Sequence, residues 1–337
     1  MNWSRLTSGL TSGLTQWWDR HQIPLYLLAI LFGALIGLAT PSVAPAAEIS
    51  INPVLVTLLY ATLLGIPLTR LGDAVRDIRF FGAVMSLNFL VVPIVVFGLS
   101  RFIAHDQALL VGVLLVLLAP CIDYVIVFTG LAGGDHTRLL AAAPLLMLVQ
   151  ILLIPLYMSL MAGSEVFQVI DLRAFGEAFL LLIVVPLLLA ALTQFLNLNR
   201  VMALCEALMV PLMMLTLAVV VASQIDAVSN QLGQLLHVIS LYVAFLAIMV
   251  PLGVGMAKLF RQQAPAARAV VFSGATRNSL VVLPLALALP PGLELVAVVV
   301  VTQTLVELIG MVIFVRFIPR LVKTPGECRA ELSDQRG

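Results

Sequence analysis

Charge is what this sequence has least of. Of 337 residues only 10% are Asp, Glu, Lys or Arg, where a soluble domain carries about 25%. The two signs nearly cancel, leaving a formal net charge of +1, so there is no basic face for nucleic acid. Cysteine is as scarce. Cys121, Cys205 and Cys328 have no paired spacing, which argues against a disulfide framework and against a thiolate metal cluster. The four histidines, His21, His105, His136 and His237, fall in or beside expected loops. The chain has no His-Glu-x-x-His run, no nucleophile elbow and no phosphate-cradling glycine loop. These absences point away from an enzyme and imply neither a resident metal nor a cofactor.

What fills the chain instead is apolar. Hydrophobic residues make up 62% of it, with a mean hydropathy of +1.13, more than one aqueous core can hide. They fall into runs of about 18–24 residues, the length that spans a hydrocarbon core of about 30 Å. Hydropathy and helix breakers place spans near 23–40, 51–69, 80–100, 108–130, 138–162, 174–195, 202–222, 235–257, 269–290 and 294–318. Trp17 and Trp18, just before the first span, suit an interfacial belt. The first run and the small residues Ser42–Ala47 also resemble a cleavable signal peptide. The run is long enough to span, however, and removing it would break the count.

Orientation follows from the cations. With the N-terminus inside, fifteen of the 18 Lys and Arg fall in cytoplasmic segments, and only Arg101 and Arg173 face the other side. That bias predicts cytoplasmic termini and an inner-membrane location. The remaining cation, Arg277, lies inside a span.

The two halves of the chain look alike. Pro93 in Leu-Val-Val-Pro-Ile is echoed by Pro251 in Ile-Met-Val-Pro-Leu, and each of these spans precedes one with a polar break. The first break is Ala119-Pro120-Cys121-Ile122-Asp123, and the second is Ser273-Gly274-Ala275-Thr276-Arg277-Asn278-Ser279. A shift of 158 residues superposes Pro93 on Pro251 and Pro120 on Asn278. Five spans per half is an odd number, so the second half must be inverted. The expected fold is therefore an all-α membrane protein with two inverted five-helix repeats and crossing breaks in the fourth and ninth helices, the pattern of an alternating-access transporter. On this reading the chain divides into a cytoplasmic segment 1–22, a first repeat 23–162, a connecting loop 163–173, a second repeat 174–318 and a cytoplasmic tail 319–337.

Charged side chains inside a bilayer cost several kcal/mol, on the order of 3, unless paired or wet. Three stand out. Asp123 and Arg277 occupy equivalent breaks and form a candidate ion pair. Glu307 lies mid-span with Gln303 one turn before it on the same face. A carboxyl held away from water takes up a proton more readily than one in solution, which makes Glu307 a candidate proton carrier. Glu177 and Glu206 lie near span ends and read as structural. Cys121 directly follows Pro120 at the break, as either a packing residue or a ligand.

Ten spans in two inverted halves, broken in the fourth and ninth, resemble the bile acid/sodium symporter superfamily over residues 23–318. The run Ala-Pro-Cys-Ile-Asp-Tyr-Val-Ile-Val-Phe at 119–128, followed by Leu131 and Gly134-Asp135, resembles the arsenite-efflux permease branch, as does Leu305-Val306-Glu307. The departures are specific. Arg277, Asn278, Ser279 and Leu280 stand where that branch has Asn-Asn-Phe-Glu, and Phe128 stands where it commonly has tryptophan. Sodium-coupled members carry Glu-x-Gly-x-Gln-Asn before this break. Ser273 and Arg277 hold the glutamate and glutamine positions, which puts a fixed positive charge where a sodium ion would bind and favours proton over sodium coupling.

The resemblance implies efflux of arsenite and antimonite. Arsenous acid is neutral near pH 7, and its soft arsenic prefers sulfur, which Cys121 supplies. Its hydroxyls would be met by Thr276, Asn278, Ser279 and open backbone groups, with coupling through Glu307, Asp123 and Gln303. The partners expected are the lipid bilayer, a small solute and a proton. The alternative is an organic-anion carrier in which Arg277 pairs with the solute and Cys121 only packs.

Overall fold

A computed structural model describes residues 17–18, 21–65, 77–122, 124–162, 180–287, 289, 292–293 and 295–323. The expected loop 163–173 and most of both terminal segments lie outside these residues. Among the described residues the secondary structure is helical, with no strand beyond one isolated bridge. Five helices are long and apolar enough to cross a membrane. The chain is an all-α membrane protein.

The helices are α1 Gln22–Ala39, α2 Ala44–Gly65, α3 Ile78–Ile103, α4 Gln107–Leu117, α5 Tyr124–Leu131 and α6 His136–Ala162. They continue with α7 Val185–Phe195, α8 Asn199–Asn230, α9 Leu232–Leu259, α10 Ala264–Ala275, α11 Ser279–Leu287 and α12 Leu295–Leu321. Most lie over the expected spans. The longest, α8, overruns the expected 202–222 at both ends because polar residues at its ends, Asn199 and Gln224 to Asn230 among them, continue the helix past its apolar part.

Punctuation is local. Pro41 bars Thr40 from helical backbone and ends α1. Asp77 and Asp106 accept hydrogen bonds from the free amides of Phe80 and Leu109, capping α3 and α4. Asn197 takes a left-handed φ of 51° after α7, a conformation asparagine tolerates and which closes the helix end.

The chain forms two compact units. The first holds α1, α2, α7 and α8. Its center is α8, packed on α1 and α2. Gly33 and Gly37 of α1 let the backbones approach: a Cβ at Gly33 would lie 2.4 Å from the carbonyl oxygen of Ala218, and one at Gly37 would lie 2.6 Å from that of Ala222. Two small residues four apart on each helix are the pattern by which membrane helices pack without hydrophobic drive. The opposite face of α1 exposes Leu28, Leu31, Phe32 and Leu35 by more than half, as lipid contact requires. Within the same unit Tyr60 and Thr193 share a 2.8 Å hydrogen bond between hydroxyls.

The second unit holds α3 to α6 and α9 to α12. Here α4 packs on α12, and α10 packs on α3, α5 and α6. Gly112 makes room for Val299, whose Cγ1 would lie 2.7 Å from an added Cβ. Each unit draws the same members from both halves of the sequence, the first two expected spans for one and the last three for the other.

Candidate functional site

Two of the helices in the second unit are interrupted. Pro120 lacks an amide proton and disfavours helical backbone at Ala119, so the ladder fails after Leu117. Its last bonds run from Leu118 to Leu114 and, tightened, from Ala119 to Val116 at 3.3 Å. The second interruption has no proline. Thr276 turns extended at φ −97°, ψ 143°, and the next two amides leave the helix for tertiary acceptors. Asn278 N–H donates to the Ala119 carbonyl at 2.8 Å, and Arg277 N–H donates to Glu307 Oε2 at 2.7 Å. Asn278 then caps α11, its Oδ1 accepting from Val281 N–H at 3.1 Å. The two unwound stretches form an antiparallel bridge, Pro120 opposite Arg277.

Arg277 is fully buried. Its Nη2 donates to Asn88 Oδ1, to the Ser273 carbonyl and to the Gly274 carbonyl, each at 2.8 Å, and its Nη1 reaches the Leu117 carbonyl at 3.4 Å. The guanidinium also faces the Phe245 ring, 5.5 Å from its centroid. Asn88 is held in turn, its Nδ2 donating to Ser273 Oγ at 2.9 Å and to the Val84 carbonyl at 3.0 Å. A cation is thus caged by the oxygen end of half-helix α10, one carbonyl of α4 and one amide of α3. Among the described residues no carboxylate bonds the guanidinium. Asp123, the partner expected from sequence, lies outside the described residues.

Glu307 sits beneath the same crossing, 1% exposed. Its Oε2 accepts from Arg277 N–H and from Gln303 Nε2, and its Oε1 lies 2.6 Å from the Tyr124 hydroxyl. That hydroxyl is also 3.1 Å from the Arg277 carbonyl. Gln303 therefore meets Glu307 one helical turn away, as the spacing predicts.

The other expected residues gather here as well. Thr276 and Ser279 are buried, with Thr276 Oγ1 turned back on the Phe272 carbonyl at 2.8 Å and Ser279 Oγ accepting from Thr304 Oγ1 at 2.7 Å. Cys121 is buried one residue past the bridge. Around the crossing, three buried polar atoms have no hydrogen-bond partner among the described residues: Asn278 Nδ2, Gln303 Oε1 and Arg277 Nε. Two donors and an acceptor left open inside an otherwise satisfied network are what a polar solute or water would complete.

Sequence reasoning missed Asn88, Ser273 as an acceptor, Phe245 and Tyr124. Asn88 had a readable signal, as a lone amide within the apolar run Met-Ser-Leu-Asn-Phe-Leu-Val-Val. Phe245 had none, because an aromatic in an apolar span carries no mark of the cation above it.

The family model described as the sodium bile acid symporter family matches residues 52–231. No curated protein matches the chain. The match holds the first interruption, while Arg277, Asn278 and Glu307 lie beyond it. With more than half its length so matched, the chain belongs to the sodium bile acid symporter family.

Proposed function

From that membership, which makes the chain a membrane transporter of the bile acid/sodium symporter type, we propose an efflux permease for arsenite and antimonite driven by proton exchange. The observation that carries this reading is the bridged pair of interruptions, with a thiol, an open amide donor and an open amide acceptor buried around it. Arsenous acid carries no charge near pH 7, so it needs no free cation. Its hydroxyls match Asn278 Nδ2 as donor and Gln303 Oε1 as acceptor, both without a hydrogen-bond partner among the described residues. Its arsenic suits the Cys121 sulfur. Capture exchanges one As–O bond for one As–S bond, and the thiol proton leaves with the displaced hydroxide as water. Water reverses the step on release. A single sulfur keeps the capture weak enough to let go.

Coupling is assigned to Glu307, the deep carboxyl beside this site. A sodium ion is disfavoured because the Arg277 guanidinium already occupies the carbonyl-lined end of α10, the kind of half-helix terminus that coordinates coupling cations. The same internal bonds argue against the organic-anion alternative, since a solute carboxylate would have to displace Asn88 and two carbonyls to reach Nη2.

Everted vesicles loaded with this protein test the reading. Arsenite uptake should require an inward-acid pH gradient, be indifferent to replacing sodium by choline, and exceed uptake of every organic anion offered. Uptake of a bile acid or other carboxylate in place of arsenite, abolished by Arg277→Gln, would move the assignment to the organic-anion carrier.

A further inference from the structure

The Tyr124 hydroxyl stands between two acceptors, Glu307 Oε1 at 2.6 Å and the Arg277 carbonyl at 3.1 Å. A phenol has one proton to donate, so it satisfies only one of them at a time. With Glu307 ionised, both carboxylate oxygens accept, and the hydroxyl proton is drawn to Oε1, since a bond to a charged acceptor is about twice as strong as one to a neutral carbonyl. With Glu307 protonated, the geometry leaves one place for the new proton. Oε2 is already taken by two donors, Arg277 N–H and Gln303 Nε2, so the proton sits on Oε1 and points at the Tyr124 oxygen. That oxygen then accepts, and its own proton turns to the Arg277 carbonyl.

We propose that Tyr124 is a positioning residue that reports the protonation state of Glu307 to the crossing by reversing its hydrogen bond. Proton uptake adds a tie from α5 to the backbone of the second interruption, and proton release withdraws it. The carbonyl it addresses belongs to the residue bridged to Pro120, and proline offers no amide proton to satisfy that carbonyl instead. One proton on Glu307 thereby changes how the second half of one broken helix grips the middle of the other. The proposal rests on the assignment of Glu307 as the proton carrier, and extends it with a route by which the proton acts on the site.

The titratable and charged groups around Glu307 are few. Among the described residues, Tyr124 comes from α5 and Arg277 from the second interruption, and Cys121 stands in the first interruption, which is bridged to the second; Asp123 lies outside the described residues. The sequences of α4 and α11 contribute none, and Arg268 of α10 is engaged by the carbonyls of Ala132, Gly133 and Val322. On α9, Tyr242 donates to the Val299 carbonyl.

Infrared difference spectroscopy of the full-length protein in proteoliposomes tests the switch, with ring-deuterated tyrosine to mark the tyrosine modes. In wild type a carboxylic C=O band that is absent from Glu307→Gln should titrate. A tyrosine ring–oxygen mode should shift at the same midpoint, and that shift should be lost in Glu307→Gln. In Tyr124→Phe the carboxyl band should persist at a changed frequency while the coupled tyrosine shift disappears. Tyrosine modes that stay fixed while the Glu307 band titrates would overturn the switch and leave proton coupling standing. So would a Glu307 band of unchanged frequency in Tyr124→Phe. If no Glu307-dependent band titrates in wild type, the proton-carrier assignment fails and takes the switch with it. Should Tyr124→Phe not fold, the wild-type tyrosine shift and its dependence on Glu307 decide alone.

Discussion

Glutamine at position 307 matches the protonated carboxyl in shape, with an NH2 donor in place of the OH. Its carbonyl oxygen can take the two donors now on Oε2, and its amide can donate to Tyr124 as a carboxylic acid would. Glu307→Gln should therefore fold normally, bind solute, and lose dependence on the pH gradient in vesicle flux. Alanine at the same position would strand two donors, Arg277 N–H and Gln303 Nε2, while the Tyr124 hydroxyl could turn to the Arg277 carbonyl. Burying an unsatisfied polar group costs about 1–3 kcal/mol, so Glu307→Ala should be thermally weaker than Glu307→Gln. Cys121→Ser separates chemistry from packing. Serine nearly matches the thiol in size, so thermal stability should hold while arsenite transport falls sharply, because oxygen is a poor partner for arsenic. Cys205→Ser should change neither. Arg277 behaves oppositely. Removing its charge leaves Asn88 and three carbonyls facing an empty cage, and Arg277→Met should lower stability measurably in a detergent melt. Lysine is no substitute, since one ammonium cannot span a cage built for a planar fork.

Among the helices, what the sequence displayed and what it hid divide along physical lines. The two interruptions were legible because a proline, a charge and a cluster of small polar residues cannot sit unnoticed in an apolar run. The crossing itself was suggested by the 158-residue shift, which superposes Pro120 on Asn278; in the fold Pro120 is bridged to Arg277, the residue next to it. Which helices form which unit was hidden. In water an amphipathic stripe announces the buried face, but here lipid-facing and protein-facing sides are both apolar, so α1 shows its leucines on one side and Gly33 and Gly37 on the other with little periodic contrast. The glycines carry the testable content. Gly33→Leu would drive a side chain into the Ala218 backbone and should sharply reduce the yield of folded protein. Gly98→Leu, with nothing within 4 Å of an added Cβ, should be tolerated.

For the whole molecule, the fifteen-to-two distribution of loop cations predicts cytoplasmic termini. The expected loop 41–50 is in the fold a short turn, 40–43, leading into α2; reporter fusions at this turn and in the expected 290–294 loop should report the outer side, and a cytoplasmic signal from either would reverse the assigned orientation. The first two expected spans of each sequence half fall in one unit, and the last three of each in the other.

The partners of Arg277 also have an order in time. Asn88, Leu117, Phe245, Ser273 and Gly274 all precede it in the chain, so the ribosome delivers the acceptors before the cation. A helix carrying a lone arginine inserts poorly, at a cost of about 2.5–3.5 kcal/mol at mid-membrane, yet here every member of its cradle has been synthesised before it. Glu307 follows the same rule, arriving after Tyr124, Arg277 and Gln303. Biogenesis is thus directional. A circular permutant beginning near residue 260 would present Arg277 and Glu307 before Asn88, Leu117, Tyr124 and Phe245, and should insert poorly even though its finished contacts would be the same.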